Sequence, residues 1–235
     1  MPLKLGMRES FSGDTLLDQL SKETFVLEVY LSRIERVSAE LHNIPHAYFG
    51  PQGAKIPDIA WFVLAAIKKT NSLSHAFCTL VRAGNTLAAT ALIRLQIDTA
   101  MRISGLGLVD DLVAAGAHLM NDGVYRKLKS RDNKPLDDAM LHRRLNEYYP
   151  GLSDVYEATS SYVHLSAAHI KTGLSERPGT PVLLFNLNGT DNALPQEWLA
   201  EMVDSFDQAT RLSVEIIEDF MRYRFARDFA VGTFQ

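Results

Sequence analysis

Apolar side chains recur every three to four positions along most of the chain, a spacing that predicts amphipathic helices. The first such segment runs from Asp14 to about Leu41, and a loop that contains prolines follows from Pro45 to Pro57. A short apolar helix is predicted from Asp58 to about Lys69, because lysines suit the C-terminal turn of a helix. The beginning of the chain therefore predicts separate helices joined by a loop.

The most apolar part of the sequence predicts a long central helix over about residues 72–104, ended by Gly105 and Gly107. Apolar residues occupy every side of this helix rather than one stripe. A helix with that pattern packs against several neighbours. We therefore expect the rest of the protein to be arranged around it.

The remaining segments predict further helices and one different element. The helices are expected at Val109–Met120, Leu136–Tyr149 and Leu152–His164, with a closing helix from about Pro195 to Asp228. Residues 171–194 contain a short apolar run between glycines and prolines, which is typical of a strand or small β-hairpin. The predicted fold is all-α: one helical domain over residues 1–235, a multi-helix bundle with a hairpin excursion.

Composition and charge exclude several functional classes. The chain has 235 residues, 46% of them hydrophobic, and a net charge of −4, so neither a disordered nor a strongly basic protein is expected. Binding to duplex DNA is not expected. The start of the chain lacks the apolar core of a signal peptide, and no segment predicts a membrane span. A single cysteine, Cys78, forms no intramolecular disulfide or zinc motif, which favours a cytoplasmic location, with no cofactor or metal expected.

Charged residues within the predicted central helix are the first candidates for chemistry. Arg94, Asp98 and Arg102 are spaced four apart and share a stripe that also carries apolar residues. Charges in such surroundings need partners, because an isolated buried charge is costly. One interpretation is a structural Arg–Asp–Arg bridge between helices. The other is the floor of a pocket in which the arginines face a phosphate or carboxylate.

A second group of candidates is the serine- and histidine-rich segment from Tyr156 to His169. If this segment is helical, Ser161 and His164 are neighbours, which is the minimum arrangement for an activated nucleophile. No G-x-S-x-G motif accompanies them, which disfavours a serine hydrolase. His164 and His169 do not have the spacing of a helical metal pair. His164 is therefore either a general acid or base or a hydrogen-bonded core residue.

These two groups together resemble a family of uncharacterised bacterial all-helical proteins. The resemblance covers about residues 75–170 and rests on Ile93-Arg94 with Asp98, and on Tyr156 with Ser160 or Ser161 and His164. That family is in turn similar to HEPN domains, many of which are dimeric, metal-independent ribonucleases of toxin and defence systems. The HEPN signature, an arginine and a histidine separated by four to six residues, is absent before His164 and occurs only at Arg36–His42.

The function expected from these observations has two forms. In the first, Arg94, Asp98, Arg102, Ser161 and His164 form the site of a metal-independent ribonuclease or nucleotide-phosphate-handling domain. The arginines would then neutralise a phosphate while His164 moves a proton. In the second, the protein is a non-catalytic helical scaffold or interaction protein. A homodimer through apolar helix faces is expected in both, and RNA or a nucleotide is the expected ligand in the first.

Overall fold

The computed structural model describes residues 26–51, 53–191 and 195–229. Its elements are helices, apart from one small antiparallel sheet, which confirms the predicted all-α class with a hairpin. The helices and strands, in chain order, are α1 (Leu27–Ala39), α2 (Ile44–Tyr48), α3 (Asp58–Arg82), α4 (Thr86–Leu106), α5 (Leu112–Met120), α6 (Asp138–Tyr148), α7 (Leu152–Val163), α8 (Ala167–Gly173), β1 (Leu174–Glu176), β2 (Leu183–Phe185), α9 (Gln196–Asp219) and α10 (Ala226–Asp228).

Short turns of other helical types link or interrupt these elements. A 3₁₀ turn, Glu40–Asn43, joins α1 to α2, and another spans Tyr125–Lys127. The closing helix contains a π-helical turn, Phe220–Phe225, between α9 and α10. The predicted first helix from Asp14 to Leu41 is described only from Val26 onward, since its earlier part lies outside the described residues.

The long central helix predicted over residues 72–104 is wrong as one continuous element. It is the end of α3 and the whole of α4, because the chain turns between them at Gly84, where φ is +72°. Asn85 then caps α4 by accepting a hydrogen bond from the Ala88 amide at 3.2 Å. The break expected after Lys69 does not exist, since no glycine or proline interrupts α3 there.

Two other predicted boundaries also change. The loop predicted from Pro45 begins within α2, where a proline in the first turn loses no helical hydrogen bond. The helix predicted from Val109 begins at Leu112, because the side chain of Asp111 accepts hydrogen bonds from the Val113 and Ala114 amides, both at 2.9 Å.

The helix α4 occupies the centre of the bundle, as its apolar sides predict. It packs against α3, α6, α7 and α9, while α1 covers α3 and α9 on the other side. Ile93, Ile97 and Met101 of α4 are fully buried. The polar stripe of α4 is thereby held between α3, α6 and α7.

The hairpin is fastened to the bundle at its end. β1 pairs with β2 in antiparallel register, with Leu174 opposite Phe185. Beyond β2, a carboxylate oxygen of Asp191 accepts hydrogen bonds from the Thr86 amide and hydroxyl, each at 2.6 Å, and from the Leu87 amide at 3.0 Å. Asp191 therefore adds negative charge at the N-terminus of α4, where free amides favour it.

Candidate functional site

The guanidinium of Arg94 lies against α7, and its partners among the described residues are all uncharged. Its Nε donates to the hydroxyl of Ser160 at 3.3 Å, and its Nη2 donates to the hydroxyl of Tyr156. Its Cζ lies 3.5 Å from the centroid of the Tyr156 ring, a cation–π contact. Arg94 is half-buried, yet no described carboxylate lies within ion-pair distance of it. Its positive charge is therefore left without a counter-charge among the described residues.

Asp98, one turn along α4, pairs in the other direction. Its carboxylate accepts from Lys69 of α3 at 3.2 Å and lies 3.1 Å from Arg102 Nη2. Arg102 also donates to Asp138, at the start of α6. These charges join α3, α4 and α6 in one network. A structural bridge between helices therefore accounts for Asp98 and Arg102 but not for Arg94.

Tyr125 supports Arg102 within that network. Its ring lies 4.9 Å from the Arg102 Cζ, and its hydroxyl donates to the backbone carbonyl of the same residue. Burial raises the pKa of Tyr125, so the phenol stays protonated and remains a donor. For Arg102, burial acts to lower the pKa, but Asp98 and Asp138 outweigh it and the pKa is raised. The arginine is therefore charged and fully paired.

His142 of α6 completes the surroundings of Arg94. Its ring stacks on Tyr156, with centroids 4.5 Å apart. Its Nε2 is buried and has no hydrogen-bond partner among the described residues. Burial lowers the pKa of His142, and the charge of Arg94 lowers it further, although Glu157 opposes both. The result favours a neutral imidazole, the form that accepts a proton.

The two serines on α7 differ in what they contact. Ser160 accepts from Arg94 and donates to the backbone carbonyl of Tyr156, whereas Ser161 donates to the carbonyl of Ala158 at 2.7 Å. Neither hydroxyl contacts a histidine within the part of the chain that the structure describes. The Ser161–His164 pair expected from helical spacing does not form, because α7 ends at Val163 and His164 adopts an extended backbone.

His164 is open to solvent but is not joined to the arginines. Its side chain is exposed, and it makes no side-chain hydrogen bond or ion pair with any described residue. His169 has a structural role, because its ring and the Ser166 hydroxyl form a capping box at the start of α8. Of the predicted site residues, the structure brings Asp98 and Arg102 together, and places Arg94, Ser161 and His164 in separate surroundings.

Several residues of this site were not predicted to belong to it. His142, Lys69, Tyr125 and Asp138 reach the stripe from other elements, and no local spacing signals such contacts. Arg36 and His42, the formal HEPN match, lie elsewhere: His42 Nε2 is 3.2 Å from the side-chain amide of Asn71.

Within residues 26–51, 53–191 and 195–229, no group of three or more histidine, cysteine or acidic side chains is placed to hold a metal ion. None of the helices that the structure describes has the length and apolar character needed to cross a membrane. Comparison with known proteins found no matching family, curated protein or solved structure.

Proposed function

We propose that this protein binds a phosphate-bearing ligand, RNA or a nucleotide, at Arg94, and that it acts on RNA as a metal-independent ribonuclease of HEPN-like type. One observation carries the proposal: Arg94 is half-buried and has no carboxylate partner among the described residues. Holding an arginine among neutral groups is costly unless an anion completes its surroundings. Its Nη1 donates to no described residue, so hydrogen-bond donors remain for a phosphate.

His142 is the proton-transfer group that we assign to this site. A neutral imidazole beside a bound phosphodiester removes the proton of the ribose 2′-hydroxyl. The 2′-oxygen then forms a bond to phosphorus, the bond from phosphorus to the 5′-oxygen breaks, and the departing oxygen takes up a proton from water. Arg94 stabilises the charge that develops on the phosphate oxygens. No metal enters these steps. His164, exposed past the end of α7, is the alternative proton carrier.

Incubation of the full chain with RNA in the presence of a chelator tests this proposal. We expect cleavage by the native protein, and its loss in both Arg94→Ala and His142→Gln with melting temperatures retained. Ser161→Ala is the matched control, since the hydrogen bond that this hydroxyl donates to a described residue goes to a backbone carbonyl, and the variant should retain cleavage. Absence of cleavage by the native protein would contradict the ribonuclease proposal. Loss in His164→Ala, with His142→Gln active, would contradict the role of His142.

A non-catalytic scaffold is the second candidate, and the Asp98 network favours it. Its charges are paired with one another and join α3, α4 and α6, which is what fixing the positions of helices requires. Native protein that neither cleaves RNA nor binds inorganic phosphate or nucleotides would favour this candidate over the first.

We also propose that the protein is a homodimer, with the hairpin as the contact surface. Apolar side chains on and next to β2 are exposed: Leu183 by 60%, Phe185 by 51% and Leu187 by 90%. Among the described residues, β2 pairs only with β1, so its outer edge is open. A two-stranded sheet is marginal on its own. Pairing of β2 with the same strand of a second copy would cover this edge and its apolar side chains.

A further inference from the structure

A basic cleft lies on the outer side of α6, apart from the Arg94 site. The cleft has a volume of about 320 Å³ and lies between α6 and the turn at residues 130–134. Its lining includes four cationic and two acidic side chains: Arg131, Lys134, Arg143, Arg144, Asp132 and Glu147. Cations therefore outnumber carboxylates in a protein whose net charge is −4.

The turn that forms one wall of the cleft is held by backbone hydrogen bonds. The Ser130 amide donates to the Lys134 carbonyl at 2.9 Å, and the Arg131 amide donates to the Leu108 carbonyl at 2.9 Å. The amide of Lys134 also donates to the Ser130 hydroxyl at 3.2 Å. The cations on this turn are thus presented from a fixed backbone.

Most of the cleft cations form no ion pair with a described residue, although Asp132 and Glu147 also line the cleft. Arg131 lies 3.9 Å from Asp110, while Lys134, Arg143 and Arg144 form no ion pair with a described carboxylate. Exposed side chains with unpaired charge attract the phosphates of a nucleic acid. The separation of the cations between a turn and a helix allows more than one phosphate to be contacted.

A second cleft, on the next side of α6, exposes aromatic rings. It also has a volume of about 320 Å³, and Tyr148 and Tyr223 line it. Each of these tyrosines is 65% exposed. The two clefts are neighbours, because consecutive residues line them. Glu147 and Leu108 line the first cleft, and Tyr148 and Gly107 line the second.

We propose that these two clefts form a binding track for single-stranded nucleic acid. Arg143, Arg144 and the cations of the turn hold the phosphates, and Tyr148 and Tyr223 stack against bases. Basic grooves interleaved with exposed aromatic rings are how proteins hold single strands, because every base presents a π-face. A duplex hides those faces and is not bound in this way. The inference deepens the proposed function, because His142 on the same helix contacts the Arg94 site.

Fluorescence anisotropy with a labelled single-stranded RNA of about 12 nucleotides tests the track, using the full chain in chelator at about 50 mM salt. Arg143→Glu with Arg144→Glu should weaken binding about tenfold or more. Tyr148→Ala should weaken it about fivefold or more through lost stacking. Because the backbone charge dominates, affinity should fall with added salt, with a logarithmic slope of about −3 for four phosphates. Oligonucleotides of DNA, single- and double-stranded, form the other arms.

Arg36→Glu with Lys68→Glu is the matched control, since it makes the same change in net charge at exposed residues outside both clefts. Equal weakening in this control, no binding by the native protein, or equal affinity for duplex would overturn the track. If the α6 variant lowers the melting temperature, Arg131→Glu with Lys134→Glu tests the same cleft from the turn. Single-stranded DNA bound as well as RNA supports the track and shows that the 2′-hydroxyl is not read there.

The outcomes separate the track from the proposed function. Binding without cleavage supports the track and contradicts the ribonuclease. Cleavage that is unchanged by the α6 variant supports the ribonuclease and contradicts the track. Arg94→Ala should abolish cleavage while retaining most of the affinity for the single strand.

Discussion

Arg94 and Asp98 lie one turn apart on α4 but form no ion pair. Asp98 is held by Lys69 and Arg102, at 3.2 and 3.1 Å, whereas Arg94 extends over the ring of Tyr156. The three charged residues of the α4 stripe therefore fall into two parts. Asp98 and Arg102 are paired with opposite charges, whereas Arg94 lies among neutral groups. For this reason we assign a structural role to Asp98 and Arg102 and a ligand-binding role to Arg94.

Asp98→Asn should lower the free energy of unfolding by about 1–2 kcal/mol, since two charge-assisted contacts are lost in half-buried surroundings. Asp138→Asn is the matched control, because that carboxylate is 54% exposed and, among the described residues, pairs with Arg102 alone. Its loss should cost no more than about 1 kcal/mol. Urea unfolding measures both. A larger effect at Asp138 would show that the network is not centred on Asp98.

The depressed pKa of His142 predicts a pH dependence of stability. Because the folded protein holds this pKa below its ordinary value of 6.5, the unfolded chain binds the proton more readily. Stability from the neutral imidazole is thus fully present above about pH 6.5 and is lost as the pH falls through the folded pKa. Urea unfolding at several pH values should show this loss, reduced in His142→Gln. An identical loss in that variant would assign it to other groups.

Asp191 offers a test of how the hairpin is fastened. Asp191→Ala removes the acceptor from the N-terminus of α4 and should cost about 1–2 kcal/mol of stability. Asp191→Asn keeps an oxygen acceptor but loses the charge, so it should cost less, about 0.5 kcal/mol. Thermal or urea unfolding ranks the two variants. Equal costs in the two variants would mean that the charge matters more than the hydrogen bonds.

Gly116 of α5 is expected to tolerate no side chain. An added Cβ would lie 2.5 Å from the Ile59 amide nitrogen of α3, so Gly116→Ala should cost about 1–3 kcal/mol. At Gly189 an added Cβ meets no atom of the described residues within 4 Å, and Gly189→Ala should change stability by less than about 0.5 kcal/mol. The two melting temperatures measure this difference. Equal shifts would contradict the close approach of α5 to α3.

The proposed dimer predicts a solution mass of two chains at micromolar concentration. Leu184→Lys places a charge on β2, where the native side chain is 49% exposed, and should yield monomers without lowering helix content. Val113→Lys is the control: Val113 is 66% exposed on α5, a helix that packs against α3. Analytical ultracentrifugation distinguishes these cases. A monomeric native protein would contradict the dimer.

The sequence predicts the helical class and hairpin well because both depend on local periodicity. The sequence-based prediction fails at Gly84, where the chain turns between α3 and α4. Apolar residues on all sides of both helices make them look like one continuous helix, although Gly84-Asn85 is itself a turn signal. The stripe of Arg94 and Asp98 follows from helical spacing, but their partners do not. Tyr156 is 62 positions from Arg94, and only tertiary packing brings them together.

The position of Arg224 depends on the number of residues in the π-helical turn Phe220–Phe225. The turn places the buried Arg224 so that its Nη2 donates to the carbonyls of Val109 and Asp110, at 2.7 and 2.8 Å. A π turn holds one more residue than an α turn. Deleting a single residue there would rotate Arg224 away from both carbonyls. In a set of relatives, gaps in this stretch should therefore be rarer than substitutions.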